Sequence, residues 1–490
     1  CIGLGYPKKL YLLTNSLEIG VIPTNRGMGD AVKERMPLVS GERAVKAKSK
    51  FTWAQVRELI AEGRDLLVYE DGVYDLTKWK VHHPGGDLAI THLVGMDATN
   101  QIRGNHSEEI IRKKMPTFFV GRLVDNKLSQ VEREFRELDK KLAAKGLYQT
   151  QYSFYYKQAL KLLVLFSAAI ATVVIGSGTW WGTLLGAFLL ASYWQQSAFV
   201  AHDAGHCGIT KDVQNDYAIG LFLGNVLGGI SIGWWKDSHY VHHIVTNDVE
   251  HDPDIQHMPV FAVTEKFFKG VHSTYHDLTF QYDAVARAAI RVQHLVYYPL
   301  LMLGRFLLYL NSFKFLLLCR RARRRRAAEL AGLALFWAWF GSLVAFAVPT
   351  WPQRVAFVLL SHALTFILHV QITLSHFSMD TEPRGQDEEF VRHQLRTSLD
   401  VDCPPWMDWF HGGLQFQAIH HLFPRVPRHN LRTVQAEVAA FCQRHGLRYH
   451  LQTFGKANAS TLSTLRAVAD QAKFLAKVAT SDHILGHQHH

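Results

Sequence analysis

The stretch WWGTLLGAFLLASYWQQSAFVAHDAGH, residues 180–206, joins an apolar run to two histidines four residues apart. Trp180 to Phe199 supplies roughly the 20 apolar residues that a bilayer-crossing helix needs. If the helix continues, His202 and His206 project from one face, because i and i+4 are neighbours. Working outward, Ala159 to Gly176 is a run of the same kind, separated from the first only by Gly178 and its neighbours. A later pair, Leu330 to Val348 and Val355 to Leu374, is joined by Pro349-Thr350-Trp351-Pro352, with Trp and Pro where an interface turn belongs. The pattern predicts two transmembrane hairpins. Tyr217 to Trp235 is Gly-rich and broken, and Leu295 to Leu318 carries Arg305, Asn311 and Lys314, so both read as helices lying in or dipping into the interface. Six arginines between Arg320 and Arg326 precede the second hairpin, and the positive-inside rule sets them on the cytosolic side. Residues 1–156, 201–328 and 377–490 then share that side.

Composition agrees with spans averaged against a soluble portion. Of 490 residues, 48% are hydrophobic and 19% charged, below the roughly 25% charged of soluble proteins. Mean hydropathy of −0.03 is too polar for a chain made only of spans. A disordered polymer is excluded, and despite the net charge of +11 no nucleic-acid partner is expected. Cys1, Cys207, Cys319, Cys403 and Cys442 are scattered without CxxC spacing, against both a disulfide framework and a thiolate metal site, and in keeping with a reducing compartment. The chain opens on Cys1 rather than Met, as expected of a longer reading frame or a processed product. Residues 1–50 carry no signal-peptide pattern and no assigned function.

From Phe51 to about Val124 the pattern is that of a small soluble α+β domain, with an amphipathic helix at Trp53–Ala61, a strand at Leu66–Tyr69, a turn at Asp71-Gly72 and a strand after it. Within it stands His83-Pro84-Gly85-Gly86, and 23 residues past His83 comes His106. Two histidines offered from opposite sides of one pocket can fill both axial positions of a heme iron, which then passes electrons rather than binding oxygen. This block resembles cytochrome b5. The resemblance implies heme b, with His83 and His106 as axial ligands and Pro84, Gly85 and Gly86 shaping the ligand loop. The charged stretch Glu132 to Lys145 reads as a solvated helix or linker.

Two more histidine sets follow: His239-Tyr240-Val241-His242-His243, and, after the second hairpin, Gln417-Ala418-Ile419-His420-His421. With His202 and His206 they lie on one predicted side of the membrane. Imidazole suits Fe, Cu, Ni and Zn, and seven or eight such ligands are too many for one ion, so a two-metal centre is the economical reading. Zinc cannot cycle redox states. A single-electron heme domain in the same chain selects a redox metal, and iron is the expected one. Two irons, electrons and a bilayer point to O2 activation against an unactivated C–H bond.

The three-cluster pattern resembles the membrane fatty-acid desaturase family, and the fused heme domain with Gln417 in the third cluster resembles its front-end members. The resemblance implies that His202, His206, His239, His242, His243, His420 and His421 ligate two non-heme irons, with Gln417 where a histidine usually lies. His376, at the cytosolic end of the fourth apolar run, resembles an extra ligand recruited from that helix; His369, seven residues earlier on the same face, is a further candidate or a core histidine. Asp203 and Asp237 are candidates to orient imidazoles through their free N–H groups.

The expected fold is therefore a small α+β heme-binding domain followed by an all-α integral membrane domain with four spans in two hairpins, interfacial helices and a cytosolic histidine-rich cap. The expected boundaries are 1–50 unassigned, 51–124 heme-binding, 125–156 linker, 157–450 membrane domain with the three clusters, and 451–490 a C-terminal tail. The expected activity is O2-dependent desaturation of a lipid chain, with a NAD(P)H-dependent cytochrome b5 reductase as electron donor, in the endoplasmic reticulum. The stretches His251 to Pro259 and Asp402 to Asn430 look most like fungal sphingolipid Δ8 desaturases, which implies the sphingoid base of ceramide as substrate. An acyl-lipid front-end desaturase is the rival, then a heme-fused lipid hydroxylase. A membrane-anchored electron carrier leaves the clusters unexplained, and a metal transporter leaves the heme domain unexplained.

Overall fold

The computed structural model describes residues 49–319 and 325–486, with side chains to residue 478. Residues 1–48, most of the arginine run (320–324) and the last four residues lie outside the described part.

The first domain is built on a four-stranded sheet. Strands β1 (Ser49–Phe51), β2 (Leu66–Tyr69), β3 (Gly72–Asp75) and β4 (Phe119–Leu123) lie in the order β1-β4-β3-β2, with β1 parallel to β4 and the other pairs antiparallel. Helix α1 (Trp53–Ala61) starts from a reciprocal capping box between Thr52 and Gln55. Helices α2 (Leu88–Thr91), α3 (Thr99–Asn105) and α4 (Glu108–Lys114) follow the ligand loop. Leu67, Leu76, Ala89, Ile90, Leu93, Ala98 and Ile102 form the core between them.

The charged stretch expected as a solvated helix or linker is a helix, α5 (Gln130–Ala144), but one of its faces is buried. Val131, Phe135, Leu138 and Leu142 recur at helical spacing and are buried, Phe135 against Phe390, Phe423 and Phe441. Arg136 on this helix pairs with both Asp97 of the first domain, at 2.8 Å, and Glu132, at 2.9 Å. The charges cover one face; the other is part of the core.

Beyond it, α6 (Tyr152–Ile175) and α7 (Trp180–Gly205) pack along each other across a four-residue connection. Helix α8 (Val213–Gly220) leads to α9 (Ile232–Ile244); α10 (Ala284–Ile290) leads to α11 (Gln293–Leu301) and α12 (Gly304–Leu318); then come α13 (Arg326–Ser342), α14 (Trp351–Ala363) and α15 (Phe366–Thr373). Among the described residues three helices are long and apolar enough to cross a bilayer: Tyr152–Ile175, Arg326–Ala347 and Trp351–Thr373. Only 17%, 28% and 33% of their apolar windows are buried, which leaves side chains such as Leu160, Leu163, Leu335 and Phe346 for lipid. Helix α7 has the length of a span but is diluted by Thr183, Ser192, Gln195, Gln196 and Ser197, and most of its residues are covered by neighbouring helices. Helices α11 and α12 are bent by 70° at their junction, so the pair is a broken span or a re-entrant loop.

The cap over these helices consists of α9, α16 (Phe390–Thr397), α17 (Asp408–His411), α18 (Gln417–Leu422) and α19 (Leu431–His445), with α5 against it. Two small two-stranded sheets complete it. Of residues 451–490, expected as a tail, 451–486 instead supply a strand and the 33-residue helix α20 (Phe454–Gly486). Ala457, Leu465, Val468, Ala469 and Ala472 line one side of that helix and are buried in the core that also holds Tyr297 and Leu301 of α11. Alanine-rich spacing keeps its mean hydropathy low while giving it a face that packs.

Candidate metal centre

The three sequence clusters come from three separate elements: the end of α7, the second half of α9, and α18. Each is fixed locally. Helix α7 ends at His206, where the Cys207 backbone turns left-handed (φ 54°). A Cβ at Gly205 would stand 2.1 Å from Trp235, so only glycine lets α9 lie this close. Helix α9 starts at Ser231, whose hydroxyl oxygen accepts from Trp234 N at 2.9 Å. The hydroxyl in turn donates to Glu329 on α13 at 2.5 Å, and Gly233 N donates to the same carboxylate at 3.1 Å. A membrane-helix carboxylate thus sits at the positive end of the helix that carries three of the histidines. For α18, Asp400 accepts from Ala418 N at 2.7 Å and so fixes the start of its single turn and a half.

The histidines assemble into two groups whose nitrogens lie within 4.8 Å of one another: His202, His206, His239 and His420 in the first, His242, His376 and His421 in the second. His243 stands between them, its ring stacked on that of His421 with centroids 4.2 Å apart and edge-on to that of His206 at 4.8 Å, with Nε2 3.0 Å from Nε2 of His239. All three second-group rings are held by Nδ1, leaving Nε2 to face inward. His242 Nδ1 is 2.8 Å from Asp252 Oδ2, His421 Nδ1 is 3.1 Å from both Gln394 Oε1 and Thr246 Oγ1, and His376 Nδ1 is 3.3 Å from Thr397 O. Such outer partners fix tautomer and ring orientation around a metal.

The donor set fits metal ions. His202 Nε2, both nitrogens of His206, His243 Nδ1, His420 Nε2 and His421 Nε2 are buried with no hydrogen-bond partner. Buried polar atoms are ordinarily satisfied, so a cluster of orphan imidazole nitrogens is what a ligand shell presents.

The weaker candidates divide. His376 joins the second group. His369 lies outside both, its ring against Gly304. Gln417 is buried and lines the same recess as His202, His206 and His420. Asp203 accepts from Tyr155 OH at 3.0 Å and pairs with Arg428 Nε at 3.2 Å, so its carboxylate ties α7 to α6 and to the segment after α18. The carboxylates beside the imidazoles are instead Asp252 and, at 3.9 Å from His239 Nδ1, Asp254. Sequence reasoning missed both, along with Gln394 and Thr246. The signal available was the pair Asp252-Pro253-Asp254 shortly after the second cluster; nothing in sequence pointed to Gln394.

In the first domain His83 and His106 face one another with ring centroids 6.0 Å apart. Two imidazoles on opposite sides of one metal, at bonds of about 2 Å, require about that separation. His83 Nδ1 lies 2.9 Å from Gly86 O and His106 Nδ1 3.1 Å from Ile102 O, so each Nδ1–H donates to a carbonyl and each Nε2 is left to ligate. Burial, and then the neighbouring His83, holds His106 down at about 4, and burial lowers His83 as well. Both rings are neutral at physiological pH, as iron ligation needs. Gly86 has φ +88°, which few other residues tolerate in this tight loop.

Comparison with known proteins identifies both domains. Residues 178–453 match the model of the Fatty acid desaturase family, and residues 52–124 that of the Cytochrome b5-like Heme/Steroid binding domain. The chain is 37% identical over 516 residues to the Delta 8-(E)-sphingolipid desaturase of Emericella nidulans, covering 85% of this chain and 94% of that one. It is 36% identical to the protein of the same name from Kluyveromyces lactis, covering 86% and 93%. To the Delta(8)-fatty-acid desaturase of Helianthus annuus it is 38% identical over 412 residues, covering 83% and 88%. With a heme-binding domain ahead of an apolar helical domain, and buried histidine groups of a kind that suits iron, the chain belongs to the fatty acid desaturase family and is a membrane oxidoreductase that desaturates lipid.

Proposed function

We propose that this chain introduces the Δ8 double bond into the sphingoid long-chain base of ceramide-type sphingolipids. The observation that carries the reading is the pair of histidine groups set beside a bis-histidine heme site in one chain. The names of the fungal relatives support the substrate. In this reading heme b is held by His83 and His106, and two non-heme irons by His202, His206, His239, His242, His243, His376, His420 and His421. Bound there, iron supplies O2 activation: O2 takes four electrons and four protons to two waters, two of each from the lipid C–H bonds and two of each from outside.

The chain's own residues prepare that chemistry. Asp252, Gln394, Thr246 and the Thr397 carbonyl hold the second-group rings by Nδ1, so that Nε2 is left free and would be the atom that holds a metal. Glu329 fixes the start of α9. Heme held by His83 and His106 would take electrons from a reductase using NAD(P)H and supply them to the centre. Four spans arranged as two hairpins, with α7 as the second, keep the heme domain and both histidine groups on the cytosolic face of the endoplasmic reticulum.

Mass spectrometry of sphingoid bases and fatty acids from a yeast host lacking Δ8 desaturation, with and without this chain, tests the proposal. A sphingoid base lighter by two hydrogens with its double bond at C8 is the expected product. A new unsaturated fatty acid would favour the acyl-lipid reading, which the name of the Helianthus annuus relative supports. An added oxygen would mean a hydroxylase.

A further inference from the structure

Helix α9 works on two sides. His239, His242 and His243 turn to the metal groups, while Asp237, Tyr240 and Ile244, spaced i, i+3 and i+7, form a second edge. That edge carries the heme-binding domain. Ile244 is buried in the same core as Leu67, Ala89 and Leu93. The Tyr240 ring lies against the ligand loop: a Cβ at Gly85 would be 3.7 Å from Tyr240 Cδ2 and 2.9 Å from His83 Cε1. Asp237 Oδ1 lies 3.2 Å from where a Cβ at Gly86 would be. Around this seat the rings of His92 and His251 meet with centroids 4.6 Å apart. The second heme ligand is seated too: Arg425, four residues past His421, donates to His106 O at 2.7 Å. Both heme-ligand segments therefore rest on side chains of segments that carry, or directly follow, a metal-ligand cluster.

On its other side Tyr240 reaches the centre itself. Its ring centroid is 5.7 Å from that of His206, and its hydroxyl donates to Gly205 O at 2.7 Å. A single aromatic side chain thus spans the distance from the His83 loop to a first-group histidine.

We propose that Tyr240 is the positioning contact that couples the heme-ligand loop to the metal groups, in the docked arrangement of the two domains described above. The inference rests on the fused domain being the electron source. Each transfer oxidises the heme iron by one electron and reduces a metal ion by one, and two transfers supply the two outside electrons of a desaturation. Tyr240 keeps its proton, donated to the Gly205 carbonyl, so the ring is packed material on the path and is itself neither oxidised nor deprotonated.

The test uses the full chain, loaded with heme and iron, with the heme reduced anaerobically and its reoxidation followed by stopped-flow absorbance after O2 and lipid are added. Tyr240→Phe keeps the ring and reoxidises at the parent rate. Tyr240→Ala slows reoxidation by about tenfold or more, the scale expected when a contact loses its spacing, with heme midpoint potential and iron content unchanged. A second measurement needs no turnover: His92→Cys with His251→Cys, treated with a short bifunctional thiol reagent, gives a cross-linked peptide, and the linked protein still reoxidises. Three results overturn the proposal: full-rate transfer in Tyr240→Ala, loss of transfer in Tyr240→Phe, or a linked protein whose heme stays reduced. If His83→Ala sustains turnover without an added carrier, the electron-source reading falls instead; the two failures are separable.

Discussion

Replacing Asp252 by Ala should strip iron from the chain while leaving heme in place. The carboxylate is fully buried and serves three donors: His242 Nδ1 at 2.8 Å and Asn247 N at 2.7 Å on Oδ2, and Asp254 N at 2.8 Å on Oδ1. Losing the orienting partner of a ligand histidine typically costs 10–100-fold in metal affinity, or about 1.4–2.7 kcal/mol. Two buried backbone N–H groups would also lose their acceptor, at about 1–3 kcal/mol each, which predicts a lower melting temperature. Asp252→Asn is the informative intermediate. An amide has one acceptor oxygen, so either His242 and Asn247 or Asp254 must face an NH2 group; the loss should fall between parent and Ala. The assay is iron per heme in purified protein, with the heme absorbance as an internal measure of folded chain. Asp252→Ala with parental iron per heme would refute the orienting role and, with it, the assignment of His242 as a ligand.

The other expectations follow from the same geometry. Glu329→Gln exchanges a carboxylate that serves Ser231 and Gly233 for a neutral amide, so about 1.5–3 kcal/mol of charge-assisted bonding at the start of α9 is lost; thermal unfolding in detergent should show it, and iron content should fall with it. His83→Ala should remove the heme spectrum and spare non-heme iron, whereas His242→Ala should do the reverse; metal analysis beside absorbance separates them. Low pH should undock the heme domain. Burial, reinforced by His251, holds His92 at about 4, below its ordinary 6.5, so the docked state favours the neutral ring. That contribution is complete above pH 6.5 and is lost progressively as pH falls from there through 4. Hydrogen exchange of α9 and of the heme-domain segments packed on it, corrected for intrinsic rate and measured against pH in parent and His92→Asn, checks it; a pH-independent protection in the parent would sink the argument.

What could be read in the sequence was what is local. His202 with His206, and His239 with His242 and His243, are legible because helical spacing alone sets them on one face. The His83 loop is legible because its Pro-Gly-Gly requirement is backbone conformation. The Nδ1 partners were not legible, since Gln394 and Thr397 reach His421 and His376 from another helix, and no spacing rule links elements that meet only in the fold. Charge misled at α5: its exposed face set the composition, while Phe135 and Leu138 decided the packing. Span counting was blurred at α7 for the converse reason, because a helix enclosed by protein can carry Gln195 and Gln196 where a lipid-facing one could not.

The same distinction explains why the centre lies where it does. A ligand shell of buried imidazoles must be rigid before the metal arrives, or ordering it would consume the binding energy. Here rigidity comes from both directions. Glu329 ties α9 to the membrane helices, and Asp400 ties α18 to the cap through Tyr449 and Gln435. The heme-binding domain adds a third constraint by burying Ile244, the residue after His243. Removing that domain should therefore loosen α9 as well as cut the electron supply. Iron per chain should fall in a protein truncated before residue 125, even when electrons are supplied chemically; unchanged iron would mean that the membrane domain alone fixes the ligands.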